Sequence, residues 1–244
     1  MRLSALTPRL PLKPFALAAF LSAVSVSPHA AASAPDMTEQ VQALYGDSIA
    51  FDIYRNEARI GSYNVIFRDA AEGLKVTINF ELEIGLLFVK LYELQYQSEA
   101  LWEDGQLVSL SARTDRNGDI SEVEASANED TLTIDGPNGR QTAAIGIYPT
   151  NHWNSGVIGS TQLMNTITGQ VNDVRLVDLG TERVATNVGM VEATRYKYEG
   201  AIQNEIWYDA DGRWVAMQFP GEDGSLIELR CRQCVASASL EATR

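Results

Sequence analysis

Leu74-Lys75-Val76-Thr77-Ile78-Asn79-Phe80-Glu81-Leu82-Glu83-Ile84 is apolar at every second position and polar between. A period of two places the six apolar side chains on one face of a pleated strand and the polar five on the other. After Gly85 the alternation resumes through Leu86, Phe88, Tyr92, Leu94, Tyr96, Ala100 and Trp102, with Glu93, Gln95, Gln97 and Glu99 opposite. Leu87, Leu91, Leu94 and Leu101 also fall near helical spacing. The aromatic content, the missing caps and the continuity with the preceding strand decide for a second strand antiparallel to the first. At about 3.3 Å per residue, a strand from Leu86 to Trp102 approaches roughly 55 Å, far beyond the usual reach, so it has to bend at a bulge or near Gly85.

The rest of the chain extends the same pattern. Ile49, Phe51 and Ile53 alternate, residues 55–59 turn, and 60–68 return. Asp104-Gly105 and Asn117-Gly118 are hairpin signals, and 128–130 and 136–139 supply two more turns. The strands between them, 120–127 and 131–135, are short and polar and belong at a solvated edge. Further strands are expected at 171–179, 191–199, 202–208, 213–219 and 226–230. Turn signals every 8 to 12 residues or so mark an all-β meander, sandwich or barrel, with no strand-helix alternation to build a parallel sheet. Met37 to Tyr45, with Thr38 as N-cap and Gly46 as stop, is the one expected helix. The predicted fold class is therefore all-β and mainly antiparallel: a strongly curved sheet or open half β-barrel with one short N-terminal helix.

The N-terminus reads as a targeting segment. Arg2, Arg9 and Lys13 precede an apolar run from Phe15 to Val26, and Ala30, Ala32 and Ala34 offer a small-residue cleavage site. The expected organisation is a signal peptide over 1–32, an N-terminal segment with the helix over 33–46, a single β-rich domain over 47–232 and a C-terminal tail over 233–244. The mature chain is expected to be periplasmic or secreted, with no transmembrane segment. Loss of the leader removes three of 19 basic and none of 32 acidic residues, taking the formal charge from −13 to −16. Nucleic acid and anionic lipid surfaces are poor partners for that charge.

Several stretches, in this order, resemble an uncharacterised family of exported bacterial β-rich proteins, a domain of unknown function. They are Phe51 to Asn56 with Ile60-Gly61, Leu87-Phe88-Val89, Trp102 to Val108, Pro149 to Asn154, and Trp207 to Trp214. The resemblance covers nearly the whole mature chain and, through topology, extends distantly to periplasmic half-barrel lipoprotein carriers. It implies the fold and carries no activity with it; hydrophobic ligand binding follows only by analogy.

Two groups of residues are candidates for function. The aromatic stripe Phe88, Tyr92, Tyr96 and Trp102 either lines a ligand cavity or is core. The loop Asn151, His152, Trp153 and Asn154 either contacts a ligand, with His152 as the weak catalytic candidate, or plugs one end of the barrel. No nucleophile elbow accompanies His152, and no metal or cofactor is expected. Cys231 and Cys234 form a lone C-x-x-C, read as a short disulfide or free thiols ahead of redox catalysis or half a zinc site. Asp115 to Asp119 and Asp209 to Gly212 miss the register of a calcium loop and read as turns.

The expected function is a non-enzymatic periplasmic domain holding a hydrophobic small molecule, a lipid or an envelope-protein segment on its concave apolar face. That reading calls for a cavity of at least about 300 Å³ lined by the stripe. A small hydrolase or lyase centred on His152 is one alternative; it requires an acidic or nucleophilic neighbour in a cleft. A structural or interaction protein of the cell envelope is the other.

Overall fold

Alternation becomes burial in the computed structural model, which describes residues 36–86, 89–221 and 223–236. Leu74, Val76, Ile78 and Leu82 are buried, and Phe80 and Ile84 pack against the same core. Phe88, Leu87 and the leader read at 1–32 lie outside the described residues.

The first run of strands is β1 (Ser48–Arg55), β2 (Ala58–Ala70), β3 (Gly73–Leu86), β4 (Val89–Glu103), β5 (Gln106–Arg116), β6 (Asp119–Asn128), β7 (Thr131–Gly136) and β8 (Gly139–Ala144). The second is β9 (Tyr148–Pro149), β10 (Gln162–Met164), β11 (Val171–Thr186), β12 (Gly189–Gly200), β13 (Glu205–Asp209), β14 (Trp214–Pro220) and β15 (Leu226–Gln233). They form one curved 15-stranded sheet in the order β8-β7-β6-β5-β4-β3-β2-β1-β15-β14-β13-β12-β11-β10-β9. Every pairing is antiparallel except β9 with β10.

Strands this long bend where the ladder is interrupted. The β3/β4 register shifts between Ile84 and Gly85, and β4/β5 shifts between Leu101 and Trp102. A bulge increases local twist and turns a strand around its buried face. The hairpin signals act through backbone geometry, since Asp104, Gly105, Asn117 and Gly118 all take positive φ. Gly118 N–H also donates to Asp115 Oδ1 at 2.7 Å, so the would-be calcium carboxylate caps its own turn.

Because β1 pairs with β15, the first and last strands of the described residues meet in the middle of the sheet, and its two edges are β8 and β9, consecutive in sequence. The polar strands β7 and β8 end one side, as their composition predicts. Across the seam, Gln141 Oε1 accepts from Val171 N–H at 3.0 Å and Asn138 Nδ2 donates to Thr168 O at 3.3 Å.

Three local expectations need correction. Helix α1 (Met37–Tyr45) is capped by Asp36, whose carboxylate accepts from Glu39 N–H at 2.8 Å; Thr38 is buried. The strand expected to stop at Leu179 continues to Thr186, because Gly180 sits in a bulge with φ +95° while Asp178 Oδ1 accepts its N–H. Of the tail expected over 233–244, Gln233 ends β15, Cys234, Val235 and Ala236 are buried, and Ala236 N–H donates to Leu44 O at the end of α1; residues 237–244 lie outside the described residues. No described helix is long and apolar enough to cross a membrane.

Candidate functional site

The two residue groups marked out by sequence meet inside the curved sheet. Thr150 N–H donates to Met164 O, which anchors the loop after β9 and directs Asn151, His152 and Trp153 into the interior. All three are buried, at 4, 3 and 3 % exposure. The turn is tight: Trp153 N–H donates to Asn151 O at 2.7 Å, and His152 takes φ +55°. That left-handed conformation costs a non-glycine residue on the order of 1 kcal/mol and persists where surrounding contacts impose it.

Those contacts come mainly from tyrosines. Asn151 O accepts from Tyr63 hydroxyl at 3.4 Å, His152 O from Tyr208 at 2.6 Å and Trp153 O from Tyr45 at 2.9 Å. Tyr45 hydroxyl in turn accepts from Trp214 N–H at 2.8 Å. The loop side chains are held the same way, Asn151 Oδ1 by Tyr96 at 3.3 Å and by Thr166 Oγ1 at 3.4 Å, and His152 Nδ1 by Tyr198 at 3.2 Å. One helix and four strands thus each contribute a phenol to a three-residue turn. Buried backbone carbonyls require partners, and here each has one.

Packing completes the site. The Trp153 ring meets Phe67 and Trp102 edge-on, both with centroids 5.3 Å away, and Trp102 lies 6.1 Å from Tyr148. His152 packs against Trp214 at 6.0 Å. Asn154 is half-buried and caps the following single 3-10 turn (Ser155–Val157), its Oδ1 accepting from Gly156 N–H at 2.9 Å. A Cβ at Gly156 would sit 2.3 Å from Tyr148 hydroxyl, so a larger residue there has to displace the Tyr148 ring.

This geometry revises the candidate residues. Tyr96 and Trp102 are core, Tyr92 is half-buried against it, and Asn151, His152 and Trp153 form the plug rather than a ligand surface. The gap between Trp102, Tyr148, His152, Trp153 and Val157 has no room for a water molecule. A groove of about 310 Å³ does exist, but on the opposite, outward face of the sheet, walled by the Lys75–Glu99 ion pair, Ser111 and Glu124. The expected apolar cavity is therefore filled by the chain's own loop.

The electrostatics follow from burial. Desolvation raises the pKa of Tyr45, Tyr63, Tyr96, Tyr198 and Tyr208, keeping these phenols protonated as donors. Desolvation lowers His152 to about 4, so the imidazole is neutral at physiological pH. Its Nε2 has no hydrogen-bond partner among the described residues. The hydrolase reading needs a carboxylate or nucleophile at this ring and an open cleft; among the described residues the buried ring bonds the Tyr198 phenol. Buried Asp209 is committed elsewhere, accepting from Arg213 Nε at 2.6 Å and closing the 209–213 turn. No group of three or more metal-ligating side chains occurs among the described residues.

Sequence reading misses Tyr45, Tyr63, Tyr198 and Tyr208. Each tyrosine looks like any half-buried strand or helix residue, and only the fold shows that they converge.

No curated protein matches the sequence. Among solved structures, a beta-barrel-like protein of domain of unknown function DUF1849 from Brucella abortus is similar, with a TM-score of 0.56 and 13 % identity over 78 % of this chain and 97 % of that one. At that identity the likeness concerns the fold alone. Residues 51–232 match the family described as Domain of unknown function (DUF6134), and the chain belongs to that family.

Proposed function

We propose that this is an exported, non-enzymatic structural or interaction domain of the cell envelope, acting through its outer surface. The observation that carries this reading is the interior: the turn Asn151–Trp153 occupies the concave face and is hydrogen-bonded to it at every carbonyl. A carrier of hydrophobic molecules needs that space open, and an enzyme centred on His152 needs it reachable. Export is supported by the basic, apolar and small-residue succession at the N-terminus and by the Cys231–Cys234 disulfide, a bond that persists in oxidising compartments. A formal charge of −16 after removal of the leader suits solubility in such a compartment and disfavours nucleic acid.

Native mass spectrometry of protein purified from the periplasm tests the reading. The expected spectrum contains the bare polypeptide or a complex with another protein. A stoichiometric lipid or other hydrophobic small molecule surviving with the chain overturns it in favour of a carrier.

A further inference from the structure

The Cys231–Cys234 disulfide ties the end of β15 into a four-residue loop that does more than close on itself. Immediately after it, Cys234 N–H and Val235 N–H both donate to Asn187 Oδ1, at 3.0 and 3.2 Å, and Asn187 Nδ2 donates back to Val235 O at 3.1 Å. Asn187 stands in the turn between β11 and β12. Three strands separate β11 from β15 in the sheet, so this grip bends the sheet back and joins elements that share no ladder. Ala236 N–H, donating to Leu44 O, fastens the same segment to α1. Beyond Val171–Asp173, where β10 covers it, β11 has a ladder on one side only, with β12, and its residues 178–183 are exposed.

We propose that Cys231–Cys234 is a reversible dithiol/disulfide site whose oxidised form latches the β11–β12 hairpin through Asn187. The reductant is a dithiol. Its thiolate attacks Cys231 Sγ, which is half-buried, whereas Cys234 is fully buried. The sulfur–sulfur bond breaks, its electron pair passes to Cys234 Sγ, which takes a proton, and a mixed disulfide forms on Cys231. The second thiol of the reductant displaces Cys231 as a thiol and leaves as a disulfide. Two electrons and two protons enter the chain. Reduction removes the covalent restraint that presents the Cys234 and Val235 amides together, and the hairpin tip loses its hold.

Hydrogen exchange on the full chain tests this, with dithiothreitol as the reductant and thiol trapping to report the redox state. Exchange at residues 184–191 is expected to rise on the order of tenfold on reduction, the restraint lost with so short a loop. Exchange at Asn151–Trp153 stays constant. Cys231→Ser reproduces the reduced behaviour without reductant. Asn187→Ala raises exchange at 184–191 in the oxidised protein and makes it insensitive to dithiothreitol. Unchanged exchange at 184–191 in fully reduced protein overturns the latch, as does an equal rise throughout the sheet. Failure of dithiothreitol to release thiols without denaturant overturns the reversibility.

Discussion

Lowering the pH from 7.5 to 5 is expected to cost this protein about 2 kcal/mol of stability through His152 alone. Burial holds the native imidazole at about 4, against an ordinary value of 6.5. Between those values the unfolded chain binds a proton that the native chain refuses, so stability rises with pH across the window and is level above it. At pH 5 the unfolded histidine is almost wholly protonated and the native one almost wholly neutral, which gives the figure of about 2 kcal/mol; full protonation takes it to about 3 kcal/mol. The sign follows from the site, where protonation places a cation among Trp214, Tyr198 and Tyr208 with no carboxylate to receive it. Exposed carboxylates held below their ordinary range, Glu57 by hydrogen bonds from Arg230 and Glu93 by hydrogen bonds from Gln95 and then Lys90, lose those partners as pH falls below about 4.5, outside the range from 7.5 to 5. Urea unfolding followed by tryptophan fluorescence at pH 7.5, 6 and 5 measures the effect, with His152→Asn as the comparison, since asparagine tolerates the left-handed backbone. A wild-type stability flat within about 0.5 kcal/mol over that range, or an equal loss in His152→Asn, refutes the reasoning.

The plug makes further predictions open to the same unfolding measurement. Tyr208→Phe deprives His152 O of its 2.6 Å donor and is expected to cost about 1–3 kcal/mol with the circular dichroism spectrum unchanged. Tyr45→Phe strands both Trp153 O and Trp214 N–H, so its cost exceeds that of Tyr63→Phe, whose bond to Asn151 O is 3.4 Å long; the reverse order contradicts the assignment. Trp153→Ala is expected to lose about 3–5 kcal/mol, and a loss below about 1 kcal/mol would mean that the ring does not fill the interior. Gly156→Ala drives a methyl into Tyr148 hydroxyl and is expected to lose about 1–3 kcal/mol, whereas Gly118→Ala, which meets nothing, pays only for its positive φ.

The architecture was legible because period two is a local signal: Leu74 to Ile84 states its own burial, and Asn117-Gly118 states its own turn. The β11 bulge was not, because Gly180 looks the same in a sequence whether it ends a strand or kinks one. The site was legible in part. The unusual composition of Asn151 to Asn154 marks the loop, but whether it faces a ligand or the core depends on the curvature of strands far away in sequence. The phenols around it carry no pattern, since Tyr45 and Trp153 are 108 positions apart and nothing near either names the other. The C-terminal burial escaped for a similar reason: Cys234 and Val235 follow a strand and precede a Ser/Ala-rich stretch, while their partner Asn187 is 47 and 48 residues away.

The pairing of β1 with β15 also sets an order of events for a chain that emerges N-terminus first. Strands β1 to β8 pair as successive neighbours, each able to add as soon as it appears. The outer edge of β1 has to wait for residues such as Arg230, which pairs with Asp52, and so stays open until β15 has arrived. Such distant pairings are slow to form, and an open edge invites other strands meanwhile. The half-made sheet is therefore the state most exposed to aggregation, and anything that shields β1 during that interval governs the yield of native protein.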